Sequence, residues 1–177
     1  MQPVLEDAHV LLRPMRRDDW HALFAVASDP AIWALHPAHD RWQEPVFRAF
    51  FEEGLASGGA LTIVDKRDGA VIGSSRYDQR VCLPGEVEIG WTFLARSHWG
   101  GETNRSVKRL MLRHAFTRYE TAIFLVGDTN LRSRRAMEKI GGVLTDRTQN
   151  AEMAGVEIVH LIYAIARAGF EGGPLKA

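Results

Sequence analysis

With a single cysteine, Cys82, in 177 residues, this chain cannot close an intrachain disulfide, which points to a reducing compartment and a cytoplasmic location. An excess of one charge is also lacking. Lys and Arg number 22 against 22 Asp and Glu, so the basic surplus of a typical nucleic-acid binder is absent. No stretch approaches the roughly 20 consecutive apolar residues that a membrane-crossing helix needs. The opening MQPVLEDAHV has neither the basic nor the apolar region of a secretion signal. Neither nucleic acid nor a membrane is therefore expected as a partner. Repeats, low-complexity tracts and Pro/Gly/Ser linkers are missing too. One domain over 1–168 is expected, with the glycine-rich residues 169–177 as a flexible tail.

The composition, 46% apolar and 25% charged, is that of a globular domain able to bury a core. Patterning predicts a first strand over 9–15 and an amphipathic helix opened by Asp18 and Asp19, with Trp20, Leu23, Phe24 and Ala27 on one face. Three prolines mark 29–45 as mainly loop, and a second helix follows over 46–56. Strands over 60–66 and 70–78 flank the turn Arg67-Asp68-Gly69. EVEIGWTFLA (86–95) alternates, Val87, Ile89, Trp91 and Phe93 on one face and Glu86, Glu88, Gly90 and Thr92 on the other. AIFLVG (122–127) reads as a strand buried on both faces. A helix over 130–140 ends at Gly141-Gly142, and strands over 143–148 and 156–166 complete the order βααβββαβαββ.

Between two of these elements lies SHWGGETNRSVKRLMLRHAF (97–116). Its glycines permit a sharp turn, Thr103 or Asn104 is placed to cap the helix, and Arg105, Lys108 and Arg109 load its first turns with positive charge. Cations at the positive end of a helix are mildly unfavourable unless an anion docks on the free N–H groups. A tight turn without any ligand would explain the glycines equally well. A second helix start repeats the pattern, with Asn130 as cap and Arg132, Arg134 and Arg135 behind it. Two such starts suggest one polyanionic ligand lying between them. The segment is neither a P-loop nor a dinucleotide fingerprint, since no Lys-Ser/Thr follows the glycines and G-x-G-x-x-G is absent. His36, His39 and Asp40 lack a further ligand at metal-binding spacing, so no metal is expected. Cys82, without a basic partner, reads as a core residue.

The run EIGWTFLARSHWGGETNRSVKRLMLRHAF, then a buried strand, then NLRSRRAMEKIGG, together with LRPM…DD near the start, resembles the GNAT acetyltransferases. The likeness is greatest to the branch of RimJ/RimL-type N-terminal acetyltransferases. It implies an α/β (α+β) fold, a twisted mixed sheet of six to seven strands splayed in the middle with helices on both faces. It also implies acetyl-CoA as cosubstrate, without a metal. On that resemblance, main-chain groups of Phe93, Leu94 and Ala95 hold the pantetheine arm. Loop groups of Trp99, Gly100, Gly101, Thr103 and Asn104 hold the pyrophosphate, and Asn130 and Ser133 touch the coenzyme. Glu88 becomes the candidate catalytic base for amine acetylation by direct transfer, with Glu86 in reserve. Two residues depart from the family pattern. Glu102 puts an acid beside the pyrophosphate site, and Met137 stands where many relatives place a tyrosine that protonates the thiolate. The implied acceptor is a primary amine, whether small molecule, amino acid or protein N-terminus, bordered by 35–42 and 149–155. A non-catalytic acyl-CoA-binding regulatory domain is the rival reading, and a homodimer stays open.

Overall fold

The computed structural model describes residues 2–176. Its elements run β1 (Leu5–Glu6), β2 (Val10–Pro14), α1 (Trp20–Ala27), α2 (Pro30–Trp33), α3 (Glu44–Ser57), β3 (Ala60–Asp65), β4 (Val71–Asp78), β5 (Glu86–Leu94), α4 (Thr103–Ala115), β6 (Thr121–Gly127), α5 (Leu131–Lys139), β7 (Val143–Met153), β8 (Val156–Ala166) and α6 (Arg167–Glu171). The strands form one sheet ordered β1-β2-β3-β4-β5-β6-β8-β7. Every neighbouring pair is antiparallel except β5 and β6. Eight strands exceed the six to seven expected, because the two-residue β1 pairs with Leu11 and Leu12 of β2, and so short a strand leaves no alternation in the sequence.

The two faces bury different residue sets. On one, Leu61, Ile63, Tyr77, Val87, Ile89 and Phe124 pack under Val107 and Met111 of α4 and Met137 and Ile140 of α5. The Tyr77 hydroxyl donates to the Met111 carbonyl at 2.7 Å, tying β4 to α4. On the other, Phe93 and Ala60 pack under Leu23, Trp33, Phe47, Phe50 and Phe51 from α1, α2 and α3. Arg13 grips Asp19 with two bonds of 2.8 and 2.6 Å, and Thr62 adds a third at 2.8 Å, locking β2 and β3 to the start of α1. The stretch after β8, expected from its glycines to be a loose tail, carries α6. It stacks Phe170 on Phe116 at 5.4 Å and seats Leu175 in the core.

The expected alternation along β5 breaks in the middle. Ser74 pairs with Phe93 and Arg76 with Gly90, so Trp91 and Thr92 together oppose Ser75 in a β-bulge. Trp91 takes φ +53°, left-handed backbone that bulky residues adopt only under strain. The bulge reverses the facing of the residues beyond it. Val87 and Ile89 lie under α4, whereas Phe93 lies under α1–α3. Glu88, paired across the ladder with Asp78, therefore shares its face with Trp91 and Phe93 instead of opposing them.

Candidate functional site

β5 and β6 pair only through Glu86–Thr121, Val87–Ala122 and Glu88–Ile123. Beyond Glu88 they part, as the bulge bends β5 away. The opening is a cleft of about 340 Å³ lined by β5 from Ile89 to Leu94, by 124–127 of β6, by the 98–100 loop, by the first turns of α4 and α5, and by His36 and His160. No aspartate or glutamate lines it, while Lys108, Arg132, His36, His98 and His160 do. Such a lining suits a negatively charged ligand.

At one end the offer is main chain. Gly100 has φ +72°, and a Cβ added there would meet nothing within 4 Å, so backbone is bare to that space. Trp99 and Asn104 line the cleft with it, whereas Gly101 and Thr103 line a neighbouring cavity of about 260 Å³ beside Asp65 and Glu102. Thr103 and Asn104 fall inside α4 and do not cap it. The N-cap is Glu102, without any side-chain cap bond, which leaves the first N–H groups of a 13-residue helix for an anion. Glu102 turns outward, 77% exposed, and pairs with Arg105 at 3.7 Å. Asn130 caps α5 by accepting from the Ser133 N–H at 3.2 Å. Trp99 donates its indole N–H to the Leu94 carbonyl at 3.0 Å and carries the Arg132 guanidinium over its ring at 4.3 Å, joining the two helix starts.

Several cations expected at this anion site are engaged elsewhere. Arg109 pairs with Asp7 at 3.0 Å, Arg105 with the Pro174 carbonyl, and Arg134 with the Tyr163 hydroxyl at 3.2 Å. Among the three β5 residues expected to present main chain, the Ala95 N–H is spent on Ile72 at 2.8 Å, and the Phe93 carbonyl lies against the Gly73 α-carbon. Only Leu94 faces the parted side, since groups alternate along a strand.

The α1–α3 side offers titratable side chains instead. Glu88, 4% exposed, has its pKa pushed up to about 7 by burial and by Asp78, against the pull of Arg76 and Arg80. Its Oε1 lies 2.9 Å from where a Cβ on the cleft-lining Gly90 would sit. The reserve candidate Glu86 is no free base. Burial works to raise its pKa, but Arg147, at 2.7 and 3.1 Å, and the Leu83 N–H hold it below the usual range.

Several side chains at the cleft have surroundings that the sequence did not reveal. Lys108, buried on α4, bridges the parted strands. Its Nζ donates to Thr92 Oγ1 at 2.8 Å and lies 5.3 Å from the Phe124 ring centroid, and burial pushes its pKa down to about 7. Burial, with Arg41, His160 and Arg132, pushes His36 down to about 3, so it is neutral at physiological pH. His98 bonds Asp65 at 2.9 Å and Ser97 at 3.0 Å. Met137 lines the cleft and offers no proton. Of the two segments expected to border an amine pocket, the first contributes His36 and Pro37, but Trp42 is exposed outside the lining, as is 149–155. Among the described residues no group of three or more His, Cys, Asp or Glu is placed to hold a metal, and no helix is long and apolar enough to cross a membrane.

The geometry matches known proteins. The chain covers 96% of itself on a GCN5-related N-acetyltransferase from Brucella melitensis, with 81% of that protein covered, TM-score 0.78 and 19% identity. An acetyltransferase from Agrobacterium tumefaciens str. C58 gives TM-score 0.71 at 23% identity, covering 94% of this chain and 96% of that one. Mycobacterium smegmatis RimJ, solved in complex with CoA-disulfide, gives 0.71 at 19% identity, with 99% and 91% covered. At such identities these likenesses speak for the fold. A comparison with curated proteins finds no match. The model of the acetyltransferase (GNAT) domain family matches residues 9–143, well over half the sequence. The chain belongs to the GNAT acetyltransferase family.

Proposed function

We propose that the protein moves an acetyl group from acetyl-CoA to a primary amine by direct transfer, in the manner of the RimJ/RimL branch and in the cytoplasm. The observation that carries this reading is the parting of β5 from β6 beyond Glu88, which opens a cleft without acidic lining against the uncapped start of α4. Acetyl-CoA supplies the acyl group as a thioester together with a polyanionic handle. Gly100, Gly101, Thr103 and Asn104 hold that handle through backbone N–H groups, and Arg132 covers it from Trp99. Asn130 and Ser133 fix the start of α5 beside it. Leu94 presents its main-chain N–H on the parted edge, its carbonyl being held by Trp99. Phe93 and Ala95 act by shaping β5, their main chain being turned to β4.

On the opposite side Glu88 takes the proton from the amine as it attacks over Gly90. A carboxyl with its pKa near 7 is matched to that work, since it is ionised above neutrality yet basic enough to accept. Lys108 stays close to the thioester path, held by Thr92, and stands nearest to the proton-donor role that Met137 cannot fill.

Thermal unfolding tests the binding half. Acetyl-CoA at about 100 times its Kd should stabilise the fold by about 2.7 kcal/mol. Gly100→Asp puts a charged side chain, at φ +72°, where backbone meets the pyrophosphate, and should abolish the shift. Release of free thiol in the presence of an amine panel tests the transfer half. An unshifted melting curve at millimolar acetyl-CoA would remove the proposal.

A further inference from the structure

Among the described residues, two buried side-chain polar atoms find no partner, Arg76 Nη2 and His160 Nδ1. His160 is 7% exposed and lines the cleft. The charge of Arg41 is felt by His160 and by His36, and that of Arg76 by Arg41. The Arg41 guanidinium lies over the rings of Phe50 at 4.7 Å and Trp33 at 5.6 Å, and makes no ion pair or hydrogen bond with the described residues. Burial lowers its pKa to about 10, so it is charged at neutral pH at a cost. Asp40 and Glu53 act on it only through space. Glu53 is already taken, by Arg76 at 3.4 Å and Arg80 at 3.0 Å.

A buried donor without a partner is costly, and a guanidinium drawn partly out of water is as a rule paired with a carboxylate. Arg41 does not itself line the cleft but lies over the ring of Trp33, which with His36 and His160 forms the cleft's α1–α3 wall. Glu88, the candidate base, lies behind Gly90 of the same cleft. A bound anion would supply the partner that Arg41 lacks. A carboxylate has two oxygens in the plane and spacing of the guanidinium fork. It carries one charge, which Arg41 and Arg76 outweigh without overloading a side that already holds Glu88 and Glu53.

Resting on the acetyltransferase reading, we propose that the acceptor is a small amine bearing a carboxylate, unlike the protein N-terminus of the RimJ/RimL branch, and that Arg41 binds the carboxylate while the amine faces Glu88. Arg76, buried outside the cleft lining, stacks on Trp91 at 3.8 Å and positions that ring.

The test compares the common amino acids with their carboxamides and decarboxylated amines, by thiol release at saturating acetyl-CoA and by calorimetric binding to the protein loaded with CoA. The carboxylate form should be favoured by about 10² or more in kcat/KM, mostly in KM, as expected where a site's polar groups are otherwise left unpaired. Arg41→Gln should erase the preference while leaving coenzyme affinity unchanged, and Arg41→Lys should restore part of it. Amides, simple amines or a C-terminally amidated peptide used as well as the best amino acid would overturn the inference and leave the acetyltransferase reading intact. That reading fails separately, if acetyl-CoA neither stabilises the protein nor yields thiol with any amine. Because the wild-type preference decides the matter, poor folding of either variant does not protect the proposal.

Discussion

The two ends of the cleft are built from different materials. The end at α4 and α5 is backbone: a glycine pair open to space, an uncapped helix start, and a strand edge freed by the parting of β5 and β6. Its side chains are exposed or tied to one another, except Lys108, which is buried on α4 against Thr92 and Phe124. The α1–α3 side is the reverse. Glu88, Arg76, Arg41, His36 and His160 sit buried or half-buried among Trp33, Phe50, Trp91 and Phe93, and each buried group's ionisation is displaced. Backbone groups bind a constant ligand without depending on which residues supply them. Buried charges cost stability and are kept where chemistry or selection among substrates needs them. The contrast fits one end for a fixed coenzyme and the other for reaction and choice of acceptor.

Replacing Glu88 is the sharpest way to break that contrast. Glu88→Gln should lower turnover by about 10²–10⁴, the usual worth of a positioned base, with acetyl-CoA affinity unmoved. Wild-type kcat/KM should rise with pH through about 7, where Glu88 loses its proton, and the variant should lack that limb. Stability runs the opposite way. A folded pKa raised above the unfolded value means the native state holds the extra proton between about pH 4.5 and 7, so stability falls as pH rises across that window. At pH 8 the uncharged Gln variant should be the more stable protein, by up to about 3 kcal/mol. Equal turnover by wild type and variant on a verified acceptor would make Glu88 a structural residue.

The same contrast explains what could be read from the sequence. The backbone-built end was legible, because glycine pairs, a cap such as Asn130 and a parallel strand leave marks of composition and spacing. The order of elements was legible too, from alternation and helical periodicity. The side-chain end was legible only at Glu88, through the family resemblance, and the rest of that end was not. Its assembly depends on the bulge at Trp91, which turns Phe93 to the same face as Glu88, and nothing in EVEIGWTFLA announces a break in alternation. Lys108 illustrates the same limit. In sequence it is one of three cations at a helix start, and only tertiary packing distinguishes it from Arg105 and Arg109 by burying it against Thr92 and Phe124.

Gly90 joins the two ends, and Gly90→Ala sharpens the comparison at lower cost. Its new Cβ would stand 2.9 Å from Glu88 Oε1, the far end of a flexible side chain, so the carboxylate must shift while the backbone need not. The expected result is a fall in kcat of about 10-fold to 10²-fold from a misplaced base, with little change in melting temperature or coenzyme affinity. A large stability loss with unchanged kcat would show that the glycine serves the bulge and not the base.

The smallest expected effect lies at the backbone end. Glu102 stands at the N-cap of α4 with its carboxylate in solvent beside Arg105. In that position its charge acts in two opposing ways. A negative charge at a helix start favours the helix dipole by about 0.3–1 kcal/mol, and the same charge repels a bound pyrophosphate by a similar, solvent-screened amount. Glu102→Gln removes both. The free protein should lose a few tenths of a kcal/mol of stability, and acetyl-CoA affinity should improve by about two-fold or less, more visibly at low salt. Thermal melts and calorimetry at two ionic strengths would check it. A change in affinity of ten-fold or more would mean that Glu102 turns inward when the coenzyme binds, and that this end of the cleft, too, relies on a side chain.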